Sequence, residues 1–424
     1  MRSCPEAFLN RMQTQLGAEY PAFVSALNDP PKKALRINTI KTDREELSAL
    51  LDLPLPVLEE NPDGAPVSLD FNPNATPLHA AGLFYMQEAT AQAPVAMLEL
   101  PDAPVVLDLC AAPGGKSAQL AAKMCGGVLF SNEIVPSRAE VLAGNLERMG
   151  VTNAIVTNAE PKALCERLRD RCDAVLVDAP CAGEAMFRKD EQAVRDWSIE
   201  HVETCAVRQR AILEDAQKAV KSGGTLVYST CSFSPQENEQ TAQWFLDRHT
   251  DFSLVTMRRL YPHTSAGEGQ FAAVFVREGE RVPSAYSVGK NDKVPAFDAF
   301  SDAVRLSEGQ IRLLKDGRVL LLPPMPFAFE GVKIVWAGLL LGEVKGSRFE
   351  PAHALCLAGR DTPFYQRCEL SFDEAMRYLR GETLMKDAEK GYGAATYMGH
   401  ALGLYKASDG MLKNHYPKGL RLLK

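Results

Sequence analysis

Long apolar runs are missing from this 424-residue sequence, and so is the apolar core of a signal peptide. A membrane-spanning helix needs ~20 apolar residues, and the longest runs here, such as IVWAGLLLG, are about half that length. The first residues, MRSCPEAFLNRMQ, do not have the apolar segment of a secretion signal. We therefore expect a cytosolic protein without a membrane helix.

Paired cysteines are also missing, although the chain has 10 cysteines. They are scattered, and no CxxC spacing occurs, so the sequence does not predict a zinc site. In a cytosolic protein they are read as free thiols, and a special cysteine would be reactive rather than structural. We interpret the following cysteines as structural: Cys110, Cys125, Cys165, Cys172, Cys205, Cys356 and Cys368.

An excess of positive charge is the third missing feature, because the net charge is −7 and the pI is near 5.7. This balance argues against a general nucleic-acid coat but leaves room for a local basic face. Two segments are locally basic. The first, Pro30 to Lys41, contains Lys32, Lys33, Arg36 and Lys41 and no acid. The second, from Ala401 onward, has one acid, Asp409, two rings, His415 and Tyr416, and the cations Lys406, Lys413, Lys418, Arg421 and Lys424. Solvated surface is the ordinary explanation of such clusters, and binding of RNA phosphates is the alternative.

A nucleotide-phosphate loop is absent in spite of the sequence Gly115-Lys116-Ser117. That loop needs a glycine five residues before its Gly-Lys-Ser, where this chain has Cys110. The three spaced glycines of a dinucleotide-binding turn are missing too, because Gly114-Gly115 is a single pair after Pro113. Neither a triphosphate nor a dinucleotide is predicted here.

Short apolar runs alternate with amphipathic helical segments from about Val105 onward. This alternation predicts a parallel, doubly wound α/β sheet. The predicted strands are VVLDLCA, GVLFSNE, NAIVTN, DAVLVDAP and GTLVYSTC, with helices such as SRAEVLAGNLERMG and VRQRAILEDAQKAVK between them. FSLVT and AAVFVRE, near 252–278, are expected to close the sheet as an antiparallel pair.

Three units are expected, and neither internal repeats nor low-complexity segments interrupt them. Residues 1–75 form a small N-terminal unit, residues 76–280 the sheet domain, and residues 281–424 a linker followed by a second α+β unit. The last unit has β-like VLLLPP and KIVWAGLLLGEVK and a helix at SFDEAMRYLR.

The turn after the first predicted strand is a candidate ligand site, since doubly wound sheets bind ligands at the carboxyl ends of their strands. Small residues from Cys110 to Gly115 allow a ligand to approach the backbone closely. Glu133, at the end of the second strand, can accept hydrogen bonds from ribose hydroxyls, and Asn158-Ala159-Glu160 can contact an adenine edge. An acidic site without phosphate contacts suits S-adenosylmethionine, which is cationic. The first turn alone is equally compatible with an ordinary structural turn.

Two cysteines follow the fourth and fifth predicted strands, Cys181 in VDAPC and Cys231 in YSTCS. If these strands are neighbours, their ends lie about 5 Å apart. Cys181, Cys231 and Asp178 would then surround one point. A single buried cysteine is usually core packing, but two at adjacent strand ends indicate a reactive site.

Three of these motifs together, LDLCAAPGGKS, VDAPCAGEAMFRKD and YSTCSFSPQENE, resemble those of the Nop/Sun family of RNA cytosine-5 methyltransferases. HAAGLFYMQEATA and LYPHTSAGEGQF belong to the same pattern. GSRFEPAHAL, YLRGE and KNHYPKGLR are similar to the bacterial small-subunit ribosomal RNA methyltransferases of the RsmF group. The resemblance covers nearly the whole chain. It implies a Rossmann-like class I methyltransferase domain, a small N-terminal α+β domain and a C-terminal PUA-like RNA-binding domain.

The resemblance also implies which residues hold S-adenosylmethionine. They are Cys110, Ala111, Ala112, Pro113, Gly114, Gly115, Lys116, Glu133, Glu160 and Asp178. Glu160 stands where aspartate is more usual, Ala185 replaces a common glycine, and Gln270 replaces a frequent histidine. We expect neither Ala185 nor Gln270 to touch the reacting groups.

Catalytic roles follow from the resemblance as well. Carbon 5 of cytosine is a weak nucleophile, and addition of a thiolate at carbon 6 converts the ring into an enamine that can accept a methyl group. Cys231 would supply that thiolate, and Asp178 would hydrogen-bond the base. Lys116 would orient Asp178 and the base, although a solvated lysine at a helix start is the alternative. Cys181 would assist release of the product.

The sequence therefore predicts an RNA cytosine-5 methyltransferase that acts on 16S ribosomal RNA or the 30S subunit, as a monomer, without DNA, membrane or metal. The same chemistry on transfer RNA is one alternative, and a non-catalytic assembly factor that binds ribosomal RNA is another. A DNA methyltransferase would place its nucleophile in the Pro-Cys motif, at Cys181.

Overall fold

The computed structural model describes residues 4–422, so Lys424 of the predicted basic tail lies outside the described residues. Within that range, no helix has the length and apolarity to cross a bilayer.

The N-terminal part is a helical pair followed by a small antiparallel sheet with strand order β2-β1-β3. Its elements are α1 (Glu6–Leu16), α2 (Tyr20–Asn28), α3 (Arg44–Leu51), α4 (Pro77–Ala80), β1 (Lys33–Ile37), β2 (Gly64–Val67) and β3 (Phe84–Met86). Phe8 and Met12 lie one helical turn apart in α1, and both are buried beside Phe23 of α2. This apolar stripe fixes the first two helices against the central domain.

The central part is a doubly wound sheet with strand order β6-β5-β4-β7-β8-β10-β9. Its strands are β4 (Val105–Asp108), β5 (Val128–Asn132), β6 (Ala154–Thr157), β7 (Cys172–Asp178), β8 (Val220–Thr230), β9 (Phe252–Leu260) and β10 (Gln270–Arg277). The first five are parallel, and β10 pairs antiparallel with β8 and β9, as the sequence predicts.

Helices cover both faces of this sheet and bury its strands. They are α5 (Ala93–Ala96), α6 (Gly115–Lys123), α7 (Pro136–Arg148), α8 (Pro161–Arg167), α9 (Glu191–Asp196), α10 (Ile199–Ala216) and α11 (Glu239–Arg248). Val105 and Leu107 of β4 pack in one core, and Val106 packs in the core on the opposite face. Because β4 is buried on both sides, its sequence is a continuous apolar run rather than an alternating one.

The C-terminal part contains two further sheets, ordered β11-β12-β14-β15 and β16-β18-β19-β20-β17. The elements are α12 (Pro295–Asp298), α13 (His353–Leu357), α14 (Phe372–Leu379), β11 (Gln310–Leu313), β12 (Arg318–Leu322), β13 (Ile334–Ala337), β14 (Leu339–Lys345), β15 (Arg348–Pro351), β16 (Arg367–Glu369), β17 (Leu384–Met385), β18 (Gly391–Tyr397), β19 (His400–Ser408) and β20 (Met411–Asn414). Ser371 and Glu374 form a capping box at the start of α14, where the sequence predicts a helix.

Strand β13 does not stay in the C-terminal part. It pairs antiparallel with β6 and is the eighth strand of the central sheet, whereas β14 pairs with β12 and β15. The run KIVWAGLLLGEVK, one β-like stretch in the sequence, divides at Gly338, which has a φ of 58°. Glycine allows this left-handed turn between two sheets.

The basic run from Pro30 to Lys41 faces inward more than predicted. Arg36 and Lys41 are only 1% and 4% exposed, and their side chains donate hydrogen bonds to buried acceptors. The expectation that this run grips RNA phosphates is therefore wrong for Arg36 and Lys41. Burial lowers the pKa of Lys41 to about 7, and that of Arg36 to about 9.

Candidate active site

The carboxyl ends of β4, β7 and β8 form the edge of the sheet at which the predicted residues meet. Strand β4 lies between β5 and β7, so the order of the strands reverses beside it. Strands β7 and β8 are adjacent and parallel, with Asp178 opposite Ser229. The sequence predicts that Asp178, Cys181 and Cys231 meet if these two strands are neighbours, and they are.

A cavity of about 720 Å³ opens at this edge. From the predicted site, Cys110, Ala112, Glu133, Glu160, Asp178, Cys181 and Cys231 line it. Other residues that line the cavity, and that the sequence did not single out, include Ile134, Val135, Pro161, Pro180, Arg208 and Ile212. The volume and the mixture of apolar walls with a few acids are typical of a small-molecule site.

The loop between β4 and α6 shapes the cavity through its backbone. Gly114 has a φ of 114°, a conformation that a residue with a side chain rarely adopts. The Ala111 amide donates to the carbonyl of Asn132 at 2.8 Å, and the Pro113 carbonyl accepts from Asn145. Ala111, Pro113, Gly114, Gly115 and Lys116 thus support the loop and are not part of the cavity lining.

Glu133 is buried and lines the cavity. Its carboxylate accepts from the Val135 amide at 2.9 Å and lies 3.3 Å from the guanidinium of Arg138. Asn158, by contrast, uses its side-chain amide to bind the carbonyls of Glu133 and Ile134. The predicted adenine contact of Asn158 is therefore not possible with the same hydrogens, whereas Glu160 does line the cavity.

Asp178, which lines the cavity, forms an ion pair of 2.7 Å with Lys116 behind it. The other carboxylate oxygen of Asp178 accepts from Ser229 at 2.7 Å and from Gln270 at 3.2 Å. Burial favours a neutral Lys116, but the charge and hydrogen bond of Asp178 outweigh it, so the pKa of Lys116 is raised. Lys116 is therefore a held cation and not a solvated helix-start lysine.

One of the two expectations about neighbouring positions is wrong. Gln270 does touch the predicted chemistry, because its amide donates to Asp178. The Ala185 amide donates to the carbonyl of Cys231 at 3.0 Å, so Ala185 helps to fix the second cysteine. Both contacts join segments far apart in sequence, and no local pattern could have indicated them.

The sulfurs of Cys181 and Cys231 lie 3.2 Å apart. The hydrogen bond to Cys231, followed by burial, raises the pKa of Cys181 well above its ordinary value. Cys181 is therefore held in its thiol form. Either sulfur can be the donor in this contact, which brings the two cysteines within hydrogen-bonding distance.

Buried carboxylates behind the cysteines were missed by the sequence analysis. Glu184, in a short 3-10 turn after Cys181, accepts from the Phe233 amide at 2.8 Å and from Trp197 at 2.7 Å. Arg11 of α1 completes its partners with an ion pair of 2.7 Å. The N-terminal part thus reaches the edge of the sheet at which the two cysteines lie. Among residues 4–422, no group of three or more His, Cys, Asp or Glu side chains is arranged to hold a metal.

Sequence patterns that describe known families match four consecutive segments. They are the N-terminal domain of 16S rRNA methyltransferase RsmF at residues 4–89, 16S rRNA methyltransferase RsmB/F at 95–276, the RsmF rRNA methyltransferase first C-terminal domain at 299–358, and the methyltransferase RsmF PUA domain at 365–422.

Curated relatives cover almost the whole chain. Ribosomal RNA small subunit methyltransferase F of Klebsiella pneumoniae strain 342 is 32% identical over an alignment 467 residues long, gaps included. The alignment covers 98% of this chain and 96% of that protein. The protein of the same name from Escherichia coli O157:H7 is 32% identical with the same coverage. A methyltransferase homologue from Pyrococcus horikoshii has a solved structure with a TM-score of 0.59 and 28% identity, covering 64% of this chain and 95% of that one.

These matches confirm the resemblance found in the motifs, the Rossmann-like methyltransferase domain and the C-terminal PUA domain. The chain belongs to the 16S rRNA methyltransferase RsmB/F family, with the N-terminal, C-terminal and PUA domains of its RsmF members.

Proposed function

We propose that Cys231 is the nucleophile with which this RNA cytosine-5 methyltransferase attacks its target base in 16S ribosomal RNA. The observation that carries the proposal is the contact between two cysteines beside the Lys116–Asp178 ion pair, at the edge of a cavity of cofactor size. A binding module has no use for such an arrangement.

S-adenosylmethionine, the expected cofactor of the family, supplies the methyl group. The cavity fits it in size, and Glu133, Glu160 and Asp178 provide negative charge for its cationic groups. Its apolar walls suit a purine ring. We assign the backbone of Cys110 and Ala112 and the carboxylates of Glu133 and Glu160 to cofactor binding.

The protein's own steps begin with addition of the Cys231 thiolate to carbon 6. The carbon–sulfur bond forms as the electrons of the C5–C6 double bond shift through carbon 4 to nitrogen 3, which takes up a proton from the Lys116–Asp178 pair and leaves a neutral enamine. Asp178, oriented by Lys116, Ser229 and Gln270, hydrogen-bonds the edge of the base as this charge develops. Carbon 5 is then nucleophilic enough to accept the methyl group.

Release needs transfer of the proton at carbon 5 to solvent water, after which the electrons of that C–H bond restore the C5–C6 double bond and the bond to Cys231 breaks. The departing Cys231 regains negative charge, and the thiol of Cys181 is placed to donate a hydrogen bond to it. Hydrogen bonding to a charged leaving group stabilises it more than a neutral bond would. Cys181 therefore speeds product release and is not needed for adduct formation.

RNA is the substrate class, and we propose the assembled 30S subunit as the particle that the enzyme modifies in the cytoplasm, as a monomer. The target cytosine must be turned out of its stack, which favours loops or opened helices. Lys406, Lys413 and Lys418 are exposed on the PUA part and would contact phosphates.

The test is to incubate the protein with methyl-labelled S-adenosylmethionine and unmodified 30S subunits, 16S RNA and transfer RNA in parallel. Wild type, Cys231→Ala, Cys181→Ala and the exposed control Cys125→Ala are compared, and RNA–protein adducts are resolved on a denaturing gel. We expect label in ribosomal RNA that is lost in Cys231→Ala, and a trapped adduct in Cys181→Ala.

Other outcomes separate the rivals. Label in transfer RNA alone would keep the mechanism and overturn the substrate. Activity in Cys231→Ala that is lost in Cys181→Ala would exchange the roles of the cysteines. No label in any RNA would favour a binding factor.

A further inference from the structure

We infer that Glu237 is a positioning residue that holds the loops of Cys181 and Cys231 at their working distance. The inference rests on the proposed roles of the two cysteines. Glu237 touches neither sulfur, and it does not line the cofactor cavity.

One carboxylate joins both loops. Its Oε2 accepts from the Ala182 amide at 3.0 Å, directly after Cys181. Its Oε1 accepts from the hydroxyl of Ser232 at 2.5 Å, directly after Cys231. The two loops are thus tied by the length of one side chain, beyond the ends of their strands, where sheet hydrogen bonds no longer hold them.

A third and a fourth contact fix the carboxylate itself. Gln209 of α10 donates to Oε2 at 2.8 Å, and the single hydroxyl hydrogen of Tyr228 is shared between the main-chain carbonyl of Glu237 and the side-chain oxygen of Gln209, 2.9 Å away. All of these side chains are buried. A buried acceptor with several donors holds its partners in a single geometry.

The nature of the partners distinguishes Glu237 from its neighbour Glu184. Glu184 has the cation Arg11, whereas within residues 4–422 no cation lies in ion-pair range of Glu237. An unpaired carboxylate in the interior costs free energy, and burial raises the pKa of Glu237 to about 6. The side-chain hydrogen bonds of Glu237 are made with the loops of Cys181 and Cys231 and with Gln209, which lies behind them. We conclude that the carboxylate sets the distance between the two loops.

The experiment compares Glu237→Ala and Glu237→Gln with Glu203→Gln, an exposed glutamate of α10. Three quantities are measured: methyl transfer to RNA, cofactor affinity, and the ratio of iodoacetamide alkylation rates at Cys231 and Cys181, read by mass spectrometry without RNA. Because a displacement of about 1 Å can cost ~10²-fold in rate, we expect that loss in Glu237→Ala with an unchanged cofactor affinity.

Glutamine keeps the length of the side chain and an oxygen acceptor. It should therefore recover at least about ten-fold over alanine, since the tie between the loops is restored. In wild type, Cys231 should be alkylated faster than Cys181, and the ratio should fall toward one in Glu237→Ala. If Glu237→Ala does not fold, Ser232→Ala is used instead, because it removes the hydrogen bond between Ser232 and Glu237. By itself this variant should also lower the ratio of the alkylation rates of Cys231 and Cys181.

An unchanged alkylation ratio in a folded Glu237→Ala or Ser232→Ala protein would overturn the inference. So would a uniform loss of thermal stability, cofactor affinity and methyl transfer that glutamine does not repair. The alkylation ratio needs no RNA, so a failure of the wild type to methylate would count against the proposed function and leave this test intact.

Discussion

A single ion pair sets the charge of the catalytic edge. Lys116 and Asp178 come from α6 and β7, and their charges lie 2.7 Å apart in a mostly enclosed place. At such a site a fixed donor acts on a developing charge without the cost of reorganising solvent. We therefore expect the pair to act in the proposed reaction as well as in stability.

Replacing Lys116 by methionine tests this use. Loss of one fixed donor at a reacting charge costs about 10²–10³-fold in kcat, and we expect a loss in that range for Lys116→Met. Lys123→Met, on the same helix and exposed, is the matched control and should stay within two-fold. Single-turnover methyl transfer with saturating cofactor measures the effect. Equal rates in the two variants would show that Lys116 only supports the fold.

Asp108 makes the free energy of unfolding depend on pH. It is fully buried, Ser117 donates to one of its oxygens, and the other has no partner among the described residues. Burial raises the pKa of Asp108 to about 7. The folded state therefore holds a proton that the unfolded state releases above pH ~4, and this stabilisation is lost as the pH rises toward 7.

Asp108→Asn removes the titration. The stability of the variant relative to wild type should rise between pH 5 and pH 8, by on the order of 2–4 kcal/mol for a shift of this size. Urea unfolding at several pH values, with Asp102→Asn as the control, measures it. A difference that does not change with pH would contradict the prediction.

At the scale of elements, the sequence predicts much and misses what depends on distant partners. The five parallel strands could be predicted because each is a short apolar run between helices, and their order placed Asp178, Cys181 and Cys231 together. Strand β13 could not, since its partner β6 is about 180 residues earlier in the chain. Arg36 and Lys41 read as surface charges because their buried acceptors, backbone carbonyls and the side chain of Gln87, come from distant segments that no local pattern connects to them. The unit boundaries at residues 75 and 280 stay predictions. Strand pairing crosses both of them, because β1 pairs with β3 beyond residue 75 and β13, beyond residue 280, pairs with β6.

Gly338 is the element-scale test of this unforeseen strand. A Cβ there would lie 2.2 Å from the carbonyl oxygen of Leu321, and the φ is positive. Gly346, with a φ of 63° and nothing within 4 Å of its Cβ position, is the matched control. We expect Gly346→Ala to cost about 1 kcal/mol and Gly338→Ala to cost at least twice as much, because only the second adds a clash to the strain. Hydrogen exchange of β6 should rise in Gly338→Ala alone. Equal costs in the two variants would show that the turn can relax.

The whole molecule is tied together at the catalytic edge and at a shared core. Leu35 and Leu47 of the N-terminal part pack in one cluster with Tyr378 and Leu379 of the C-terminal part. On the opposite side, Arg11 extends from α1 to Glu184 in the central domain. The N-terminal part therefore contacts both of the others, and one of these contacts is to the loop that follows Cys181.

Arg11→Met tests this long-range support. Glu184 is fully buried and would lose its cation, and breaking a buried pair from one side costs about 3–5 kcal/mol. We expect a clear loss of stability together with slower methyl transfer, because the same carboxylate holds the Phe233 amide, two residues after Cys231. Gln13→Ala, exposed on the same helix, should change neither. Adding Glu184→Gln to Arg11→Met removes the unpaired charge and should recover part of the stability, because the two residues interact directly. A double variant no more stable than Arg11→Met would mean that α1 acts through its apolar stripe, Phe8 and Met12, rather than through this ion pair.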